Sequence, residues 1–565
     1  MTSYATDDKD KIYTEHSENA ISSDLEYRGG QTGNEKQDAQ YLADAIEATK
    51  EQKDQGFKSA FSQYGPAMLW SIVFSSAIIM EGYDTLLLGQ FYAQPAFARR
   101  FGKLNPVKGI YEIPTKWQTS LGVSTQIGNI LGLQITGWAS ERFGYRITML
   151  VALICLTGFL FIQFFAANLG MLLAGYLLLG VSLFAFQTLT VSYAADVMPV
   201  RLRQYLTTYV NLCWVIGQII SSGVNRALVG NETEWAYKIP FAIQWVWVLP
   251  IGLGIAFAPE SPWWLTKKGR FADAERSLMR LTSRGSGFTE DDAKKQVAMM
   301  DHTNQLEMAS TSGVQFTDCF KGTNLRRTEI ACIVWLVQQL CGSPLMGNAT
   351  YFLKQAGLSE STASTLNLIM FAIGAIGTVS SWWLMQFAGR RTIYLWGSAT
   401  LNVLMLVTGV LGTIKSKGDG KNYATGAILI LFTGLYDLTV GPVCYSLVAE
   451  IGSTRLRAKT VILARNLYNI GGLVINIINP YMLNSTAWNL AAKSGYVWFG
   501  TGILGTIWVF FRLPEPAGRT YGELDILFER KIPARLFSKT EVDEFEAAER
   551  DAANNAAGGG HAIAH

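Results

Sequence analysis

From about residue 66 onward the chain alternates long apolar runs with short polar joints. A helix needs about 20 apolar residues to cross a ~30 Å hydrocarbon core. Runs of that order fall at 66–92, 119–139, 147–166, 169–192, 205–228, 240–258, 329–353, 363–386, 392–412, 424–448, 460–484 and 493–513. The pattern predicts an all-α membrane protein with twelve transmembrane helices. A hydrophilic stretch, 259–328, separates them into two sets of six. The expected organisation is an N-terminal tail (1–62), a six-helix bundle (63–258), a linker with short helices (259–328), a second six-helix bundle (329–513) and a C-terminal tail (514–565). Both tails have the polar composition of solvated segments.

The joints carry their own pattern. "ERFGYR" (141–146) after the second run is echoed by "QFAGRR" (386–391) after the eighth. "DVMPVRLR" (196–203) is echoed by "EIGSTRLR" (450–457), and "PESP" (259–262) by "PEPAG" (514–518). All three pairs lie about 250 residues apart, as a duplicated six-helix half requires. The arginines of these joints, with the basic linker, mark one side as cytoplasmic. Both tails then lie on that side. Arg99, Arg100, Lys103, Lys108 and Lys116 in the first outer loop run against this rule. The sequons at Asn231 and Asn484 fall in outer loops and are the expected glycosylation sites.

Composition narrows the function. Half of the chain is hydrophobic (49%) and only 16% is charged, with a formal net charge of +3. That balance gives no reason to expect nucleic-acid binding, and neither a Walker motif nor a metal-ligand spacing is present. No metal or cofactor is expected. The six cysteines fall singly, mostly inside apolar runs, and read as small core residues. No cleavable leader is visible. An enzyme is not expected, because no nucleophile, base and orienting group assemble in the sequence.

A charge at the bilayer centre costs about 2.5–3.5 kcal/mol on insertion scales, so intramembrane charges are functional candidates. Glu81 and Asp84 share a helix face at i, i+3 and are expected to line a central cavity rather than face lipid. No histidine lies in a span, which leaves carboxylates as proton carriers. Arg465 is the clearest cation deep in a span and a candidate partner for Asp84 across the cavity. Asp437 either binds a substrate hydroxyl or caps a helix broken near Gly441 and Pro442. At the joints Glu141, Arg142, Arg146, Asp196, Arg203, Glu260, Arg390, Arg391, Glu450, Arg457 and Glu515 read as breakable latches between the halves. The alternative is that the arginines only set topology.

These motifs together resemble the sugar porter family of the major facilitator superfamily. The loop pattern is approximated by Gly137, Glu141, Arg142, Gly144 and Arg146, with Gly389, Arg390 and Arg391 in the second half. "PESPWWL" (259–265) and "PEPAGRTYGELDILFE" (514–529) resemble the family's two exit signatures. "EGYDTLLLGQFYAQPAF" (81–97), "YLTTYVNLCWVIGQ" (205–218) and "VCYSLVAEI" (443–451) are most similar to the fungal α-glucoside permease branch, the maltose-type proton symporters. The resemblance covers about 60–535.

It implies the major facilitator fold, a sugar and protons as cargo, and a multi-pass protein of the plasma membrane that works as a monomer. It implies that Asp84 takes the coupling proton. Gln338 and Gln339 match the family's sugar-gripping pair, Asn348 stands in for the asparagine replaced by Pro344, and Asn211 and Tyr445 occupy further sugar positions. Gln218, Tyr468 and Asn469 add polar groups that suit hydroxyls. Two positions depart from the pattern. Tyr176 stands where many sugar porters have arginine, and Asn129 where this branch tends to have an acid. An uncoupled or differently coupled carrier of a hexose, polyol or glycosylated metabolite is therefore the alternative, and a transporter-like nutrient receptor a more distant one.

Overall fold

The computed structural model describes residues 57–105, 109–198, 200–311, 315–414, 420–453, 456–517, 519 and 521–540. Most of both tails lies outside these residues. Each apolar run is a helix. In the N-terminal half span 1 is Gly65–Ser75 continued by Ala77–Ala93, and spans 2 to 6 are Thr115–Phe143, Tyr145–Phe164, Leu169–Val197, Val200–Ala227 and Trp235–Phe257. In the C-terminal half span 7 is Gly322–Leu340 continued by Pro344–Gly347 and Ala349–Ala356. Span 8 is Glu360–Phe387, span 9 Arg390–Thr413 and span 10 Gly420–Leu438 with Val440–Ile451. Spans 11 and 12 are Arg457–Leu483 and Ser494–Arg512.

Among the described residues nine of these helices are long and apolar enough to cross a membrane on length and composition alone. Spans 2, 5 and 7 make up the twelve. They carry polar residues such as Gln126, Asn129, Asn211, Gln218, Gln338 and Gln339, which lowers their average hydropathy.

Span 7 begins at Gly322 rather than near 329. Its first turns hold Arg326 and Arg327, which hydropathy reads as loop. The Arg327 guanidinium instead stacks on the Phe528 ring at 4.4 Å, and Phe528 belongs to a helix, Tyr521–Glu529, that follows span 12. Cation–π contact lets the helix continue past the end of its apolar run. Span 7 then breaks at Gly342, whose φ of +107 suits glycine. Span 10 breaks at Thr439.

Between the halves, helices Pro262–Lys267, Phe271–Leu281 and Glu290–Thr311 share a small core of Leu265, Ala274, Leu278, Ala293, Val297 and Met300. They dock on the entrance to span 1: Ser283 N–H donates to the Gln63 carbonyl at 2.7 Å and Gln296 Nε2 to the Tyr64 hydroxyl at 2.9 Å. This end of the bundles is called the linker side below.

Spans 1 and 5 touch through backbone. A Cβ on Gly82 would collide with the Trp214 carbonyl, and one on Gly217 with that of Ile79. Small residues at such crossings let helices approach where lipid supplies no hydrophobic drive. Gly82→Val is therefore expected to separate the helices and cost several kcal/mol, in the range of severe overpacking. The check is a thermal melt of purified protein, which should show a clear fall in midpoint relative to a lipid-facing control, Leu69→Val.

Candidate functional site

Arg465 lies eight residues into span 11 from the linker side, about 12 Å along the helix. Nothing apolar can satisfy a guanidinium at that depth, and the structure surrounds it with π faces. Its charge stands 4.4 Å from the Trp335 ring, 5.0 Å from Tyr468 and 5.1 Å from Phe184. Trp335 in turn packs edge-on against Tyr445 at 5.0 Å and Tyr468 at 5.2 Å. One Nη of Arg465 donates to Gln187 Oε1 of span 4, so the cation bridges the two halves.

The carboxylates divide differently from the expected Asp84–Arg465 pair. Asp84 is 3% exposed and its Oδ1 accepts from Gln244 Nε2 of span 6 at 3.0 Å. Arg465 acts electrostatically on Glu81 instead. Three residues place Asp84 about 4.5 Å further along span 1 and about 60° around it, where it meets Gln244 of span 6. The Oε2 of Glu81 is buried without a hydrogen-bond partner, which leaves an acceptor or proton site open.

Of the expected substrate residues, Tyr445 and Tyr468 join the aromatic group. Gln339 Oε1, Asn211 Nδ2 and Asn469 Nδ2 are buried atoms without partners, and Asn469 Oδ1 accepts from Gln126 of span 2 at 3.1 Å across the halves. Gln218 is buried in span 5. Gln338 reaches the Gly441 carbonyl at 3.5 Å, tying span 7 to the break in span 10. Asn348, which follows the short helix Pro344–Gly347, donates to the Pro344 carbonyl at 3.2 Å and stands beside Gly89 of span 1. Asp437 is buried against Gly374 of span 8 with Oδ2 unpartnered, so it lies between helices of one half. Sequence reasoning missed Trp335, Phe184, Gln187 and Gln244. The spacing held a clue, since Trp335, Gln338 and Gln339 are at i, i+3, i+4, and Phe184 and Gln187 at i, i+3.

The joint carboxylates make their contacts within their own halves. Glu260 accepts the N–H groups of Tyr145 and Arg146 at 3.1 Å each, and so caps the start of span 3. Glu515 does the same for span 9, accepting from Arg391 N–H at 3.0 Å and Thr392 N–H at 3.4 Å. A carboxylate at a helix N-terminus meets the positive end of the dipole. Burial raises the Glu260 carboxyl above its ordinary range, and the N–H groups of Ser261, Arg146 and Tyr145 offset part of that rise. Gly144 and Gly389 lack a Cβ where each capping carboxylate sits. The repeated joints are thus two copies of one capping device, each within its own half.

The remaining joint contacts follow the same rule. Arg390 pairs with Glu450 at 3.4 Å inside the C-terminal half. Asp196 accepts from the Ser261 hydroxyl at 2.6 Å, and the Glu141 carbonyl from Trp264 Nε1 at 3.1 Å. Arg142 stacks over Trp138 and Phe143, and Arg146 acts on Glu260. The side chains of Arg203 and Arg457 lie outside the described residues.

Bonds between the halves gather on the far side from the linker. Glu112, in the loop after span 1, accepts from Ser485 at 2.9 Å and Gln355 at 3.2 Å. Asn367 donates to Ser222 at 2.9 Å, and Arg226 to Thr365 at 2.7 Å. This seal absorbs one sequon. Asn484 is 1% exposed, donates to the Ile113 carbonyl at 3.4 Å and accepts from Thr486, so a glycan has no room there. Asn231 sits on an exposed turn. Endoglycosidase is expected to shift the protein by one glycan, and Asn231→Gln to remove the whole shift on a gel.

The family model for "Sugar (and other) transporter" matches residues 70–528. The chain is 42% identical to the maltose permease MAL31 of Saccharomyces cerevisiae over 515 residues, 91% of this chain and 84% of that protein. It is 42% identical to the general alpha-glucoside permease of the same yeast over 508 residues, 89% and 82% of the two chains. Among solved structures, the partially occluded inward open conformation of the xylose transporter XylE from E. coli superposes with a TM-score of 0.66 at 17% identity, covering 81% of this chain and 100% of that one.

Proposed function

The chain belongs to the sugar transporter family, and from that premise we propose that it imports an α-glucoside or another oligosaccharide with protons, by alternating access. The observation that carries the reading is the group around Arg465. A half-buried cation, a carboxylate it acts on and three aromatic rings from spans 7, 10 and 11 converge where the halves meet. Aromatic faces suit the apolar side of a sugar ring, and unpartnered amides such as Gln339 and Asn469 suit its hydroxyls. Glu81 serves as the proton site and Arg465 as the cation whose partner changes with its charge. Asp84, held by Gln244, supports the site.

Rocking of one half against the other exposes such a midplane site to each side in turn. The far-side bonds of Glu112, Ser222 and Arg226 would have to break for that side to open. The protein is a multi-pass membrane protein, and its relatives are permeases rather than enzymes. We place it in the plasma membrane with both tails in the cytoplasm and working as a monomer. A second reading, an uncoupled carrier, is favoured by Tyr176, which puts a phenol where a cation would otherwise stand near Asp84.

The substrate is tested by labelled uptake in yeast lacking its own sugar carriers, across maltose, trehalose, sucrose, glucose and a polyol. Preference for an α-linked disaccharide is expected. Uptake confined to glucose or the polyol would contradict it.

A further inference from the structure

We propose that Arg391 and Arg535 hold the phosphate of an anionic phospholipid at the linker-side membrane boundary of the C-terminal half. The two guanidinium groups meet at one residue. Arg391 Nη2 donates to the Phe510 carbonyl at 2.9 Å, while Arg535 lies over the Phe510 and Phe511 rings at 4.6 and 4.7 Å. Arg391 feels the opposite charge of Glu515 and, after it, the like charge of Arg535. Like charges so placed repel, and a phosphate between them would turn repulsion into two charge-assisted bonds.

Their surroundings compensate only part of the charge. Arg390 is paired with Glu450 and Arg512 with Glu329. Glu515 lies near Arg391 and offsets one charge, its Oε2 also capping span 9 and its Oε1 accepting from Ala517 N–H, so two guanidinium groups against one carboxylate keep a net positive charge. Among the described residues Arg535 has ring contacts but no ion pair, and the Nε of Arg391 is buried without a partner. From 530 to 539 the chain carries Arg530, Lys531, Arg535 and Lys539 and no acid.

The site points to a lipid rather than a free anion because its floor is apolar and faces outward. Phe510 and Phe511 are 41% and 54% exposed at the end of span 12, and Leu536 beside Arg535 is 45% exposed. Acyl chains would cover these rings while the headgroup reaches the arginines, the arrangement found where basic residues border a membrane.

The test uses the full-length protein purified in detergent, with labelled phosphatidylserine and phosphatidylcholine as probes. Preferential retention of phosphatidylserine is expected. Arg535→Gln should reduce it roughly fivefold, the effect of one cation at an anionic surface. Lys539→Gln, on the same segment but away from the rings, should leave it unchanged. Arg535→Lys keeps the charge and should retain part of the preference, which covers the case where the glutamine variant misfolds. Equal retention of the two lipids, or of phosphatidylserine by the Arg535→Gln and parent proteins, would overturn the proposal. So would complete displacement by inorganic phosphate, which would make it a site for free anions.

Discussion

Glu81→Gln is expected to collapse sugar accumulation to equilibration while leaving exchange of labelled for unlabelled sugar in place. The glutamine mimics the protonated acid, so the halves can rock without a proton and the gradient no longer drives uptake. The effect is large because each proton carried contributes about 2.3 kcal/mol per 100 mV of membrane potential. At 1.4 kcal/mol per factor of ten, that is roughly fifty-fold in accumulation. Asp84→Asn should cost much less, because asparagine can still accept from Gln244 through its carbonyl. Accumulation ratios and exchange rates, measured on the same cells with surface expression matched, separate the two variants. A greater loss for Asp84→Asn would return the proton site to Asp84.

Arg465→Ala is expected to remove both coupling and most transport. It deletes the cation from a box of Trp335, Tyr468 and Phe184 and breaks the bond to Gln187 across the halves. A cation–π contact contributes about 0.5–2 kcal/mol, more as it is desolvated, and the buried Oε2 of Glu81 would lose the positive charge that acts on it. Arg465→Lys should recover only part of the activity, since an ammonium cannot lie flat on the rings and reach Gln187 together. Initial uptake rates for the two variants check this. Equal activity of Lys and Arg would mean that charge alone matters there.

How far these features are legible in the sequence depends on what kind of signal each leaves. Long apolar runs and the paired joints reveal twelve helices and a duplicated half, because the bilayer imposes length and the repeat imposes spacing. Helix limits are less visible where a helix outlasts its apolar run, as at Arg326 and Arg327, since their cover comes from Phe528 about 200 residues away. The functional positions Glu81, Asp84 and Arg465 stand out because charge is costly in lipid. Their pairing does not, because hydropathy carries no information on how each helix is turned about its axis. Trp335 and Gln187 escaped notice for a related reason: a tryptophan or a lone glutamine in a span has the same appearance whether it packs a neighbour or lines a cavity. Asn484 shows the reverse error, a sequon read as surface that tertiary contact with Ile113 buries.

Sugar and protons are proposed to move together through the site around Arg465. Extracellular pH, recorded in a lightly buffered suspension of carrier-deficient yeast expressing the chain, tests it directly on addition of maltose. Alkalinisation that appears with the sugar and disappears in Glu81→Gln is the predicted result. Sugar entry without any pH change would contradict proton coupling and leave an uncoupled carrier.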